Sequence, residues 1–126
     1  MSKKSISSEY GSKPIGPYSP AVSFNNLVFI SGQIPVKPET GEVPNSISEQ
    51  TEQVLKNIQI QIEAAGFKMD DILQCQVFLT DMGNFGAMNE VYSKFFNEPY
   101  PTRMAVEVSA LPKGVMIEIA AIAGKT

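Results

Sequence analysis

The most constraining feature of this 126-residue chain is a long amphipathic segment near its middle. Ser46 and Glu49 fit a helix-capping box, with Ser48 as an alternative cap. Apolar side chains then recur at helical spacing as far as Gly66, a residue type typical of the position after a helix. The pattern predicts a helix over residues 48–65 with one apolar face. Because such a helix buries that face only against another layer, the rest of the chain has to supply one.

Strand patterns lie on both sides of this helix. Residues 21–24 and 27–31 surround Asn25-Asn26, which favours a tight hairpin because Asn tolerates positive φ. Residues 70–81 contain a strand in which Leu73 and Cys75 share the apolar face. We interpret Cys75 as a core residue rather than a nucleophile, since no neighbouring base supports its activation. A second helix is predicted after Asn84, and it ends before Pro99. Its apolar stripe comprises Phe85, Met88, Tyr92, Phe95 and Phe96.

Residues 100–123 are predicted to form a hairpin that carries two ionisable groups. Arg103 opens its first strand and Glu118 interrupts its second, on either side of a Pro-Lys-Gly turn. Pairing of Glu107 with Glu118 would place Arg103 and Glu118 on the same face, whereas a shift of one residue would separate them. The alternative to a functional pair is an ordinary cross-strand ion-pair network.

The predicted order is therefore β-β-α-β-α-β-β in a single domain over residues 1–126, with residues 1–13 as a loose arm. This order predicts an α+β fold with two helices on one face of a mixed sheet. The other face would carry Gln74, Gln76, Phe78, Arg103 and Glu118. A face that mixes apolar area with a few polar groups is typical of an oligomer interface or a ligand cleft.

Composition narrows the chemistry. The chain has no histidine and a single cysteine, so Ser-His and Cys-His nucleophiles, intrachain disulfides and thiolate metal clusters are excluded. A formal net charge of −3 argues against a protein built to bind nucleic-acid phosphates. The N-terminus lacks a hydrophobic signal segment, and no apolar run approaches the ~20 residues needed to span a membrane. We therefore expect a soluble, cytoplasmic protein that acts through carboxylates, Arg, Lys, Tyr, hydroxyls and backbone groups.

Three further positions have both a structural and a functional interpretation. Tyr18 lies in a proline-rich loop, where it is either a packed aromatic residue or a phenol at a pocket mouth. Gly32 ends a strand, where it permits either close approach of another group or a bulge. Asn89 lies beside the apolar stripe of the second helix, where it either bonds a backbone group or lines a site.

Six short segments and one longer block give the chain a resemblance to the reactive-intermediate deaminase (Rid) family, also called the YjgF family. The short segments are residues 15–19 (IGPYS), 31–35 (SGQIP), 40–42 (TGE), 64–66 (AAG), 89–92 (NEVY) and 101–103 (PTR), and the block comprises 106–108 (VEV), 111–114 (LPKG) and 117–119 (IEI). Each segment alone is weak evidence for this family, whereas the combination of all of them in this order and spacing is specific for it.

The resemblance implies a chorismate-mutase-like fold and a homotrimer whose sheets form a central barrel, with active sites between subunits. It also implies a deaminase, a hydrolase of C=N bonds, that converts enamine and imine intermediates such as 2-iminobutanoate and 2-iminopropanoate to 2-oxo acids and ammonia. It implies neither a cofactor nor a metal. The expected partners are a small 2-imino acid and further copies of the chain, without a membrane or nucleic acid.

Site residues follow from the same resemblance. Arg103 matches the arginine that binds the substrate carboxylate, Glu118 the glutamate that holds or polarises the attacking water, and Tyr18 a residue that closes the pocket. Substrate-binding positions are Ser31, Gly32, Phe85, Asn89 and Ala105. Many members have cysteine where this chain has Ala105 and a second glutamate where it has Ala120, so neither group is available here. The alternatives are an endoribonuclease-type translation inhibitor and a non-catalytic, chaperone-like trimer that binds small carboxylates.

Overall fold

The computed structural model describes residues 2–126 and contains a six-stranded mixed sheet with two α-helices packed on one face. The strands are β1 (Lys4–Ile6), β2 (Ala21–Phe24), β3 (Leu27–Gln33), β4 (Ile72–Leu79), β5 (Thr102–Glu107) and β6 (Ile117–Gly124). The helices are α1 (Ile47–Ala64) and α2 (Phe85–Tyr92). The predicted α+β class, with a mixed sheet and two helices, is confirmed.

The boundaries of α1 follow the signals in the sequence, whereas α2 ends at Tyr92, well before Pro99, and the Asn84 side chain makes no capping hydrogen bond to that helix. Ser46 is the cap of α1, since its Oγ accepts a hydrogen bond from the Glu49 backbone N–H at 3.1 Å, and Ser48 lies inside the helix. Gly66 adopts a φ of +83° just beyond α1, as expected for the residue after a helix. The apolar face of α1 packs on the sheet and buries Val54, Leu55 and other residues completely.

The sheet order, β1-β2-β3-β6-β4-β5, shows that the predicted hairpin over residues 100–123 is wrong. β5 pairs in parallel with β4, and β6 lies between β3 and β4, antiparallel to both. Every second residue of β6 from Ile117 to Ala123 is buried against the helices, and pairing with β3 and β4 satisfies the backbone hydrogen bonds on both edges of this strand. A hairpin with β5 would have taken one of those edges.

The N-terminal segment is also more ordered than predicted. Lys4–Ile6 form the edge strand β1, which pairs with β2 in the register Lys4 with Ser23 and Ile6 with Ala21. Ile6 packs against the hydrophobic core, and this burial accounts for the ordering of a segment expected to be a loose arm. Met1, which was included in that arm, lies outside the described residues.

The second face of the sheet is uncovered and largely apolar. Its partly exposed side chains have 38–51% of their surface accessible and are Phe24, Leu27, Phe29, Leu73, Met104 and Val106. Leu73 was predicted on the covered face, but a register irregularity between Ile72 and Gln74 turns it outward, and Ile72 is buried instead. Within residues 2–126, no helix is long and apolar enough to cross a membrane.

Candidate functional site

Arg103 lies on β5, at the edge of the sheet. It pairs in register with Cys75 of β4, which is fully buried, so Arg103 projects toward the helix-covered face. This corrects the prediction that Arg103 lies on the uncovered face. As an edge-strand residue it extends past the core and remains exposed.

Helix α2 presents three side chains to the Arg103 guanidinium. Phe85, Asn89 and Tyr92 are four and then three residues apart, which places them on one side of the helix. Arg103 Nη1 donates a hydrogen bond of 2.7 Å to Asn89 Oδ1. The guanidinium carbon lies 5.3 Å from the centre of the Phe85 ring and 4.8 Å from that of Tyr92, within the range of cation–π attraction.

We call Arg103, Phe85, Asn89, Tyr92 and Ala105 the arginine cluster. Ala105 lies two residues after Arg103 on the same side of β5 and packs partly against the core. Beside the guanidinium is an open cavity of about 440 Å³, lined by Asn89, Tyr92, Ser93, Tyr100, Pro101 and Arg103. Arg103 has no carboxylate partner among residues 2–126, and such a cation at the wall of a cavity suits a small anionic ligand.

Glu118 lies on β6 and points to the uncovered face. It is opposite Phe78 of β4, and Phe78 is opposite Val106 of β5, so these three residues share that face. Its carboxylate is half-buried, and loss of solvation raises its pKa from the ordinary value of 4.5. Glu118 is therefore more readily protonated than an exposed glutamate.

Gly32 makes room for the Glu118 carboxylate. The chain carries one extra residue between Ile30 and Gln33 of β3 relative to β6, so the strand bulges at Gly32. A Cβ on this residue would overlap Glu118 Oε2 and would lie 3.0 Å from its Cδ. Gly32 therefore lies in a bulge and also permits close approach of the Glu118 side chain.

The proline-rich loop is attached to β3 beside this bulge. Ser31 Oγ donates to the Ser19 carbonyl at 2.7 Å, and the Ser31 backbone N–H donates to the Pro20 carbonyl at 2.9 Å. Tyr18 is half-exposed and lines, with Gly32 and Lys113, a cavity of about 110 Å³. We call Glu118, Gly32, Ser31 and Tyr18 the glutamate cluster.

The two clusters lie apart within one chain. Arg103 projects from the covered face of β5, and Glu118 from the uncovered face of β6, with β4 between the two strands. Two strand spacings amount to about 10 Å, and the side chains diverge from opposite faces. The prediction that Arg103 and Glu118 share a face is therefore wrong, because it depended on the hairpin pairing that the sheet order excludes.

Tyr92 of the arginine cluster and Lys113 beside the glutamate cluster were not identified from the sequence as site residues. Tyr92 was assigned to the apolar stripe of the second helix, although its distance of three residues from Asn89 already placed both on one side. Lys113 was treated only as part of a turn. Cys75 was predicted as a core residue, and its complete burial confirms this; burial also raises the pKa of its thiol.

Comparison with known proteins gives consistent similarities over nearly the whole chain. Residues 10–125 match the family model described as Endoribonuclease L-PSP. The chain is 53% identical over 124 residues to a RutC family protein of Pyrococcus horikoshii, covering 98% of each. It is 46% identical over 123 residues to the 2-iminobutanoate/2-iminopropanoate deaminase of Escherichia coli, covering 95% of this chain and 96% of that one.

Among solved structures, the fold is similar to that of Escherichia coli TdcF with bound serine. The TM-score is 0.93 with 41% sequence identity, and the match covers 98% of this chain and 99% of that one.

Proposed function

The chain belongs to the family of Endoribonuclease L-PSP, RutC and Rid proteins, whose members include a 2-iminobutanoate/2-iminopropanoate deaminase, and on this premise we propose that it hydrolyses small 2-imino acids. Water adds to the carbon of the C=N bond, and the C–N bond then breaks. Nitrogen leaves as ammonia, and the water oxygen remains as the oxygen of the 2-oxo acid. Enamine substrates enter the same reaction after tautomerising to the imine.

The observation that carries this proposal is that Arg103, the only arginine in the chain, keeps both its charge and most of its hydrogen-bond donors available for a ligand. Within residues 2–126 the one ion pair joins Lys56 to Glu52, so the guanidinium charge has no carboxylate partner there. Asn89 occupies one Nη1 donor, and the remaining N–H groups are left for a ligand. A guanidinium binds a carboxylate with two parallel hydrogen bonds and does not lose its charge, which suits recognition of a 2-imino acid.

Glu118 is the proposed proton-transfer group. Because burial raises the pKa of its carboxyl group, Glu118 can accept a proton from the attacking water and return one to the departing nitrogen. Gly32 leaves room for this carboxylate, Ser31 attaches the loop that carries Tyr18, and Tyr18 closes the pocket. On the other side, Phe85, Asn89 and Ala105 surround the carboxylate-binding end.

A single copy of the chain does not bring these groups to one small molecule. The carboxyl carbon and the imine carbon of the substrate are adjacent atoms, whereas Arg103 and Glu118 extend from opposite faces two strands apart. We propose a homotrimer in which the arginine cluster of one subunit faces the glutamate cluster of the next. The uncovered sheet face, with its partly exposed apolar side chains, supplies the surface for such an assembly.

The similarity to TdcF with bound serine supports an amino-acid-sized carboxylate as the ligand. The net charge of −3 and the absence of histidine favour a small-molecule substrate over RNA, even though the family description names an endoribonuclease.

The decisive experiment measures release of 2-oxobutanoate and ammonia from enzymatically generated 2-iminobutanoate. We expect the wild type to accelerate release and Arg103→Ala to lose the acceleration while keeping its oligomeric state by light scattering. Lys94→Ala, which removes an exposed cation near the end of α2, is the matched control and should retain activity. Full activity of Arg103→Ala would refute the assignment.

The same preparation distinguishes the alternatives. A trimeric wild type that binds carboxylates without turnover would indicate a binding protein. Cleavage of RNA that is lost in Arg103→Ala, without imine hydrolysis, would indicate an endoribonuclease.

A further inference from the structure

Tyr92 lies directly against the Arg103 guanidinium, and neither the sequence motifs nor the family names assign it a role. The guanidinium carbon is 4.8 Å from the centre of the Tyr92 ring, closer than the 5.3 Å to Phe85. Tyr92 is only 6% exposed, whereas Arg103 is exposed. The buried Tyr92 ring therefore forms a floor beneath the long side chain of Arg103.

The hydroxyl group of Tyr92 makes no hydrogen bond within the described part of the chain that would account for a tyrosine at this position. Its oxygen is buried and has no hydrogen-bond partner of good geometry among residues 2–126, although it lies toward the Cys75 thiol. Burial raises the pKa of both groups, so the phenol and the thiol beneath Arg103 remain neutral. The floor therefore supplies no carboxylate or thiolate that would compete with a ligand for the guanidinium charge.

The aromatic face and Asn89 together restrain the orientation of the guanidinium. A cation is attracted to the face of a ring, which fixes the side of the guanidinium that turns toward α2. The hydrogen bond from Nη1 to Asn89 Oδ1, at 2.7 Å, restrains rotation about the last bond of the side chain. With both contacts in place, the guanidinium is held at the wall of the cavity that Arg103 helps to line.

We propose that Tyr92 is a positioning residue, whose ring face holds the Arg103 guanidinium ready to bind the substrate carboxylate. This inference rests on the proposed function of Arg103. Tyr92 acts through Arg103 and does not touch the reacting atoms, so its loss weakens binding of the carboxylate more than it slows the chemical step.

The test compares Tyr92→Phe with Tyr92→Leu in the imine-hydrolysis assay. Tyr92→Phe keeps the ring face and should retain the wild-type KM and kcat. Tyr92→Leu removes the ring and should raise KM about tenfold, which corresponds to about 1.4 kcal/mol, with little change in kcat. The contrast between the two variants separates the ring face from the hydroxyl.

Phe96→Leu is the matched control for packing. Phe96 is 5% exposed, and its ring lies 4.6 Å from that of Tyr92, so this change removes an aromatic ring of the same cluster. The rings that lie over the guanidinium are those of Phe85 and Tyr92, so the control leaves both in place. It should lower the unfolding temperature as Tyr92→Leu does and leave KM unchanged. If Tyr92→Leu does not fold, Tyr92→Met fills the space without a ring.

An unchanged KM in a folded Tyr92→Leu or Tyr92→Met variant would overturn the inference, as would an equal rise of KM in Phe96→Leu. These outcomes are distinct from failure of the proposed function, which Arg103→Ala reports. An inactive Arg103→Ala together with an unaffected Tyr92→Leu would refute the positioning role alone.

Discussion

Replacement of Gly32 by alanine tests whether the position of the Glu118 carboxylate matters for catalysis. The new Cβ would overlap Oε2 of Glu118 and would lie 3.0 Å from Cδ and 3.3 Å from Cγ. All three atoms belong to a flexible side chain, so we expect the backbone to stay and the carboxylate to move by about 1 Å. A displacement of this size at a reacting group costs roughly 100-fold in rate.

The expected effects on activity and stability differ, and this makes the variant informative. A 100-fold loss corresponds to about 2.7 kcal/mol in the activation barrier. Two opposing effects should leave the stability nearly unchanged. Alanine stabilises the protein by about 0.4–1 kcal/mol because it lowers the conformational entropy of the unfolded chain. A displaced Glu118 rotamer destabilises the folded state by about 0.5–1.5 kcal/mol. The free energy of unfolding should therefore stay within about 1 kcal/mol of the wild-type value.

The assay is steady-state release of 2-oxobutanoate from 2-iminobutanoate, with urea unfolding of the same samples. Gly86→Ala is the matched control, because Gly86 is an exposed residue of α2 and a methyl group added to it would meet no atom within 4 Å beyond its chain neighbours and the backbone of its own helix. We expect this variant to be fully active and slightly more stable, since alanine favours a helix. Wild-type activity of a folded Gly32→Ala would refute the proposed role for the placement of Glu118.

Two further predictions concern the glutamate cluster. Because the pKa of Glu118 is raised in the folded protein, the folded state binds the carboxyl proton more tightly than the unfolded state does. The stabilisation that this proton provides is lost as the pH rises from the ordinary pKa of 4.5 through the raised pKa. Glu118→Gln should therefore match the wild type at acidic pH and become the more stable of the two at higher pH in urea unfolding; a constant difference would contradict this. Ser31→Ala removes the 2.7 Å hydrogen bond to the Ser19 carbonyl. It should cost about 1 kcal/mol of unfolding free energy and also lower activity by loosening the loop of Tyr18, so unchanged values of both would contradict the role of this bond.

Local chemistry explains the elements that the sequence predicted correctly. Ser46, Glu49 and Gly66 delimit α1 to within one residue of the predicted bounds, because a cap and a terminating glycine act on the nearest backbone groups. Asn25 adopts a φ of 55° in the β2–β3 hairpin for the same local reason. Cys75 was assigned to the core from the alternation of apolar residues along one strand.

The candidate site was only partly predictable. The residue types and segments carried the resemblance to the Rid family, and membership of that family is confirmed by the match over residues 10–125. The relation between Arg103 and Glu118 was predicted wrongly, since two strands that follow each other in sequence need not be neighbours in a sheet. Tyr92 was identified only as an apolar helix residue, because the sequence does not show that an arginine from another strand lies over its ring.

By itself, the sequence determined the helices and most of the strands, the α+β class, the family and the absence of histidine chemistry. Only the tertiary structure decided that β4 separates β5 from β6, that β1 is ordered, and that the arginine and glutamate clusters lie on different faces. The physical reason is that periodicity and capping depend on residues a few positions apart. The choice of strand neighbours depends instead on which long-range pairing buries the most apolar surface and satisfies the most backbone hydrogen bonds.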